Sequence, residues 1–287
     1  HVSSQGGVAE APARGASVGA TAIQLFTKTP NQWREPALGA DEVGRFRAEV
    51  ARHGIGAVVA HDSYLINLAS PIDALRAKSI RSFTAELARC RALGIPWVVS
   101  HPGNFMDDRA AGLERNARGY ADCLAAVPGE VGVLIEGTAG AGTALGATFE
   151  ELRALRDALP AAERDRVGFC LDTAHLHAAG YDVAGGGGGI EGVWEAFERV
   201  VGLDLLKCLH LNDSKAARGS RLDRHEWIGE GTIGAEPFRR IMCDPRFAAV
   251  IKIIETPKRG DPLKHDRRML RRLRAYAHAS ARPAQAV

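Results

Sequence analysis

Short apolar runs recur along this chain with a regularity that leaves few folds open. They occupy residues 22–26, 56–60, 96–100, 131–135, 167–171, 205–209 and 250–254, and each is apolar nearly throughout. Strands covered on both faces, as in a parallel sheet, read this way, whereas a half-solvated strand alternates. Amphipathic helical stretches lie between them, among them 40–53, 75–93, 149–159 and 193–201. Strand–helix alternation of this kind builds βαβ units. The even spacing favours a closed (β/α)8 TIM barrel over an open seven-stranded sheet. Eight strands are needed, and the opening residues from His1 to Gly7 read as a loop that follows a strand. The expectation is therefore a first strand preceding His1. No linker divides the chain, so residues 1–287 are read as one barrel domain. The five-glycine run at 185–189 lacks the Gly-Lys-Ser/Thr ending of a phosphate loop and reads as a surface loop.

The ends of the runs carry the chemistry. From the second onward, each is closed by a side chain able to bind a metal: His61, His101, Glu136, Asp172, His210 and Glu255. Their separations are 40, 35, 36, 38 and 45 residues, one βα unit each. In a barrel the C-terminal strand ends ring one mouth, where this fold places its active sites. Three carboxylates buried together repel one another and must protonate unless cations join them. Mixed His/carboxylate ligation suits zinc, with manganese or iron as alternatives. His175 follows Asp172 by three residues, and Asp223 and His225 form an Asp-x-His pair in the polar loop after His210. Nine ligands exceed one four-coordinate zinc and match three if one carboxylate is shared. A lone strand-end histidine is usually a hydrogen-bonded core residue; six strand ends in succession are not explained that way. His53, His265 and His278 fall on helices and read as surface residues, and His177 as helix packing.

Composition sets the remaining bounds. With 46% hydrophobic and 25% charged residues the chain is neither disordered nor collagen-like. No run approaches the roughly 20 apolar residues of a membrane span. Five scattered cysteines without a C-x-x-C argue for free thiols in a reducing compartment, with Cys170 and Cys208 buried in strands. The net charge is +3. Nine basic against two acidic residues lie in 256–287, which reads as a solvated basic helix face more readily than as a nucleic-acid arm. The expectation is a cytoplasmic monomer with no membrane partner.

The motifs FTK at 26–28, HDSYLIN at 61–67, HPG at 101–103, EGTAG at 136–140, LDTAH at 171–175, HLNDS at 210–214, DRH at 223–225 and GEG at 229–231 resemble those of the endonuclease IV family of apurinic/apyrimidinic (AP) endonucleases. The resemblance runs from His1 to about Thr256. It implies a trinuclear zinc cluster: His61 and His101 on the first ion, Asp172, His210 and Glu255 on the second, Glu136 bridging these two, and His175, Asp223 and His225 on the third. Glu136, Asp172 and His175 are the catalytic positions it implies. It further implies zinc-dependent hydrolysis of the phosphodiester 5′ to an abasic site in base-excision repair, leaving a 3′-hydroxyl and a 5′-deoxyribose phosphate, together with removal of 3′-blocking groups. Double-stranded DNA with abasic sites or blocked 3′ ends is the implied partner. Tyr64 and Leu65 are then candidates to wedge into the gap left by an extruded nucleotide. Lys215, Arg218, Arg221 and Arg224 form a basic loop suited to phosphates. Where the family often carries an inserting arginine, Asn31 stands here, with Arg34 three residues on. Sugar isomerases and epimerases of the same barrel need fewer metals, so His175, Asp223 and His225 separate the two classes. A non-catalytic DNA-binding or zinc-storing module is the third reading.

Overall fold

The computed structural model describes residues 1–185 and 189–279; the middle of the glycine run and positions 280–287 of the basic tail lie outside the described residues. Seven parallel strands follow one another in sequence order around one sheet: β1 (Ala22–Leu25), β2 (Ala57–His61), β3 (Trp97–Ser100), β4 (Gly132–Glu136), β5 (Val167–Asp172), β6 (Leu206–His210) and β7 (Ile251–Ile253). All seven expected runs are strands. Four of them (β2, β4, β5 and β6) extend one residue past the apolar run and take in the polar residue at its end. That residue keeps its place in the strand while its side chain turns to the mouth.

The result is a nearly closed parallel β/α barrel with seven strands where the sequence spacing predicts eight. β1 and β7 do not pair with each other. The chain start lies between them instead. The main-chain nitrogen of His1 donates to Ile254 O at 2.8 Å, and that of Val2 to Gln24 O at 2.9 Å, so two residues bond to both edges.

Helices cover the outside, including Ala40–Arg52, Asp73–Leu93, Arg109–Ala126, Phe149–Asp157, Gly189–Val200, Ala235–Cys243 and Pro262–Ala279. Local chemistry starts and stops them. Asp108 and Thr148 accept amides of the first turns of their helices. Gly94, at φ 76°, ends Asp73–Leu93 in the left-handed conformation that glycine adopts without strain. The basic tail forms a packed helix rather than a free arm: Met269 and Leu273 are buried, while Arg268 and Arg272 pair with Glu230. No helix among the described residues is long and apolar enough to cross a membrane.

Inside the barrel, Val59, Val99, Leu134, Cys170, Cys208 and Ile253 form a closed apolar layer. Each lies two residues before one of the six strand-end candidates. Side chains two apart in a strand share a face, so this layer is an apolar floor directly beneath the polar ring. Leu134 is fully buried within it. Leu134→Ala should cost ~3 kcal/mol, the usual range for a core leucine left as a cavity, read as a lower urea midpoint at unchanged m-value.

Candidate metal centre

Glu136, at the end of β4, is the floor of the site and is completely buried. Its two oxygens face different neighbours. Oε2 lies 3.2 Å from His61 Nε2 and 3.0 Å from His101 Nε2. Oε1 lies 3.0 Å from His210 Nδ1 and 3.3 Å from His175 Nδ1. The donor atoms of the candidate ligands fall into three overlapping groups, each gathered within 4.8 Å: His61, His101 and Glu136; Glu136, Asp172, His210 and Glu255; and Asp172, His175 and His225; a fourth such group joins His210 to Cys170 and Cys208 of the layer below. Asp223 joins the third, 3.2 Å from His175 Nε2 and 3.1 Å from His225 Nε2. All nine side chains singled out by sequence thus converge on one mouth.

The donor set fits metal ions on a specific observation. A main-chain carbonyl only accepts, so the ring nitrogen facing it carries the proton. His61 Nδ1 faces Asp62 O at 3.0 Å, His175 Nδ1 faces Gly137 O at 2.9 Å, and His225 Nδ1 faces Glu255 O at 3.2 Å. In each ring Nε2 is the nitrogen turned toward the cluster, free to bind a metal once it has lost its proton, the arrangement by which outer partners orient metal-binding imidazoles. His225 Nε2 is buried without a hydrogen-bond partner although two carboxylates stand within 3.5 Å. His210 is oriented the other way round. Its Nε2 meets Gln24 Oε1 at 2.8 Å, leaving Nδ1 for Glu136 and Glu255. Asp172 divides its oxygens: Oδ1 caps the helix Thr173–Ala179 through the amides of Ala174 and His175, and Oδ2 takes the Asn212 amide at 2.6 Å.

Two residues that sequence reading passed over belong to this assembly. Gln24 Nε2 donates to Glu255 Oε1 at 2.7 Å while its oxygen holds His210. A fully buried glutamine in an apolar strand was the available signal. His1 lies 2.9 Å from Glu255 Oε1 and packs on Phe26; within what reads as a loop it carried no signal. His177, by contrast, stays out of the cluster and meets Thr232 Oγ1. His265 stacks on Trp227, and His53 is only half-buried, so neither is a plain surface residue.

Above the cluster opens a cavity of about 1080 Å³ whose lining includes Phe26, Tyr64, His101, Asp223 and Arg224. Tyr64 is 69% exposed, its ring 5.2 Å from Phe26 and 6.4 Å from His61. Leu65 beside it is half-buried and Asn31 is exposed. The Asn31 loop is tied to the Tyr64 loop by Ser63 Oγ, which donates to Pro30 O at 2.5 Å. Lys215 is exposed and 3.6 Å from Glu226, whereas Arg218 is drawn aside by Asp182. Asn31, Leu65 and Lys215 stand outside the cavity lining.

Comparison with known proteins places this geometry. A family model described as "Xylose isomerase-like TIM barrel" matches residues 12–273. "Probable endonuclease 4" of Chloroflexus aggregans is 47% identical over 98% of both chains. The protein of the same name from Geobacter sulfurreducens is 47% identical over 91% of this chain and 88% of its own. The crystal structure of endonuclease IV from Thermus thermophilus superposes with a TM-score of 0.85, at 38% identity and 97% and 98% coverage. The chain belongs to the endonuclease IV family. A D-tagatose 3-epimerase-like protein, at 16% identity and TM-score 0.71, shares the fold alone.

The charges of the site answer one another. Burial alone would raise the Glu136 pKa, yet His210, His101 and His175 hold it well below the usual range. Burial opposes charge on His61 and His225 too, but Glu136 for the one and Asp172 with Asp223 for the other lift both to about 9. Imidazolium thus takes the place of metal in the metal-free protein. A pKa raised on folding gives stability that is full below 6.5 and is lost as pH rises through about 9. Chelator-stripped protein should therefore lose melting temperature between about pH 7 and about pH 10. Protein loaded with a divalent metal, whose positive charge does not titrate away, should lose much less. Calorimetry of the two forms checks this; parallel declines would contradict it.

Proposed function

We propose that this chain is a zinc-dependent AP endonuclease. It hydrolyses the phosphodiester on the 5′ side of an abasic site in duplex DNA, leaving a 3′-hydroxyl and a 5′-deoxyribose phosphate, and trims blocked 3′ ends in the same site. The observation that carries the reading is the sharing of Glu136: one oxygen faces the His61–His101 group and the other faces His210. Membership of the endonuclease IV family supports it, as does the third group, for which a sugar isomerase of the same barrel has no use.

His61, His101 and Glu136 would hold one zinc, Glu136, Asp172, His210 and Glu255 a second, and His175, Asp223 and His225 a third. Zinc bound there supplies water activated near neutral pH and positive charge opposite the leaving 3′-oxygen. The protein's own part is orientation. Glu136, fully buried, fixes the distance between the first two groups. Asp172, immobilised by its helix and by Asn212, keeps Oδ2 aimed at the cluster. His175, its Nδ1 held by Gly137 O, presents Nε2 toward Asp223.

Recognition falls to the rim. Tyr64, exposed with its ring 6.4 Å from that of His61, would fill the gap left by an extruded abasic nucleotide, together with its neighbour Leu65. Extrusion is cheaper there because no base has to be unstacked or unpaired. Arg224 and Lys215 would contact phosphates, and Asn31 would approach the duplex from the neighbouring loop.

The test is incubation of zinc-replete protein with a duplex carrying one abasic site, beside an intact duplex. The expected result is incision at the lesion alone, ending in a 3′-hydroxyl. His225→Ala should keep the barrel folded, bind one zinc fewer and incise at least ~100-fold more slowly, the scale on which stabilisation of a leaving oxygen is lost. Full activity in that variant would remove the third group from the chemistry. Absence of incision with at most two metals bound would return the site to sugar isomerisation.

A further inference from the structure

Two of the nine side chains, Asp223 and His225, come neither from a barrel strand end nor from the helix that directly continues one. They ride on a hairpin whose ladder is two residues long: Asp213 pairs with Glu226 and Ser214 with His225. So short a ladder does not stand by itself in water, and the ten residues joining its arms are largely exposed. Something else must keep His225 beside Asp172.

The Asp213 carboxylate is placed to do so. It is fully buried, it belongs to none of the three metal groups, and its five hydrogen-bond partners are main-chain amides. Oδ1 accepts from Ser214 at 2.8 Å and Ile233 at 2.9 Å. Oδ2 accepts from Gly229 at 2.9 Å, Gly231 at 3.0 Å and Gly234 at 3.3 Å. One arm of the hairpin thereby grips the segment that follows the other arm. Thr232 closes the same joint. Its amide donates to Ser214 O at 2.7 Å, and its hydroxyl lies 2.7 Å from Ala216 O. The fit is close enough that a Cβ on Gly231 would fall 2.3 Å from Ser214 O. The preceding residue has a separate task, since Asn212 joins Asp172 Oδ2 to the amide of Glu255.

We infer that Asp213 is the positioning residue of the third metal group: by gathering these five amides it holds the Asp223–His225 hairpin over the mouth, and so sets how tightly the third ion is kept. This rests on the three-zinc reading above. Asparagine at 213 has one oxygen and one amino group, so either orientation turns N–H donors against two or three of the five amides. The other two metal groups, carried by barrel strands, are untouched.

Zinc content at buffered free zinc, and the rate at which each ion is released to a chelator, test this. Asp213→Asn should weaken one ion of the three by ~10–100-fold, the effect typical of losing an outer partner of a metal ligand. The other two should leave at the original rate, and excess zinc should restore incision. Thr232→Val, which removes one hydroxyl from the same joint, should move the same ion in the same direction by less. It decides the matter if Asp213→Asn fails to fold. Three ions released at unchanged rates from whichever variant folds would overturn the role of Asp213 and leave the three-zinc reading standing. Wild-type protein that never binds more than two would overturn that reading itself.

Discussion

The Glu136 carboxylate, fully buried at the mouth of the barrel, governs how the rest of the site is built. A lone buried carboxylate gives up its charge. This one keeps it because imidazoles stand around both oxygens, two on each side. Every other feature of the mouth follows from holding those rings and the neighbouring carboxylates in place. Main-chain carbonyls fix the tautomers of His61, His175 and His225, Gln24 turns His210, and a helix terminus with Asn212 pins Asp172. Negative and positive groups alternate through the cluster. In the absence of metal, protons on the imidazoles balance the carboxylates; metal ions, bound once those protons leave, would supply the charge in their place.

Support comes in tiers of different rigidity. Six of the nine candidate ligands sit at or just beyond strand ends, where the sheet ladder and the apolar layer below fix them. His175 is held by the first turn of a helix that Asp172 caps. Asp223 and His225 rest on a two-residue hairpin tied down by the amides that Asp213 gathers and by main-chain bonds from its loop to His177 and Ala178. The first two metal groups are thus properties of the barrel, while the third is a property of a loop clamped onto it.

Much of this was legible in the sequence, and the reason is physical. A parallel strand buried on both faces leaves a run of apolar residues that nothing else in the chain imitates, which is why all seven strands could be read and most bounds differ by only one residue. A charged or imidazole side chain closing such a run has one place to go, the mouth, so six candidates could be named that way and three more from the adjoining LDTAH and DRH motifs; the nine are found together. What escaped was the supporting layer. Asn212, Asp213 and Thr232 look like ordinary loop residues, because their value lies in backbone amides supplied by a distant segment. Gln24 was hidden among apolar neighbours. His1 and Val2, which read as a loop, hydrogen-bond to both edge strands. The basic tail likewise gave no hint that Arg268 and Arg272 are occupied by Glu230.

The apolar layer from Val59 to Ile253 lies beneath the cluster, and the cavity above it is lined by His61, His101, His175, Asp223, His225 and Glu255. On the proposed reading, metal enters and leaves by the same opening that a duplex would cover. DNA seated on the rim then becomes a stopper over its own cofactors, protecting them from exchange for as long as it stays bound. Loading and turnover share a single doorway, so the enzyme would be most exposed to losing its metals while idle and least exposed while at work.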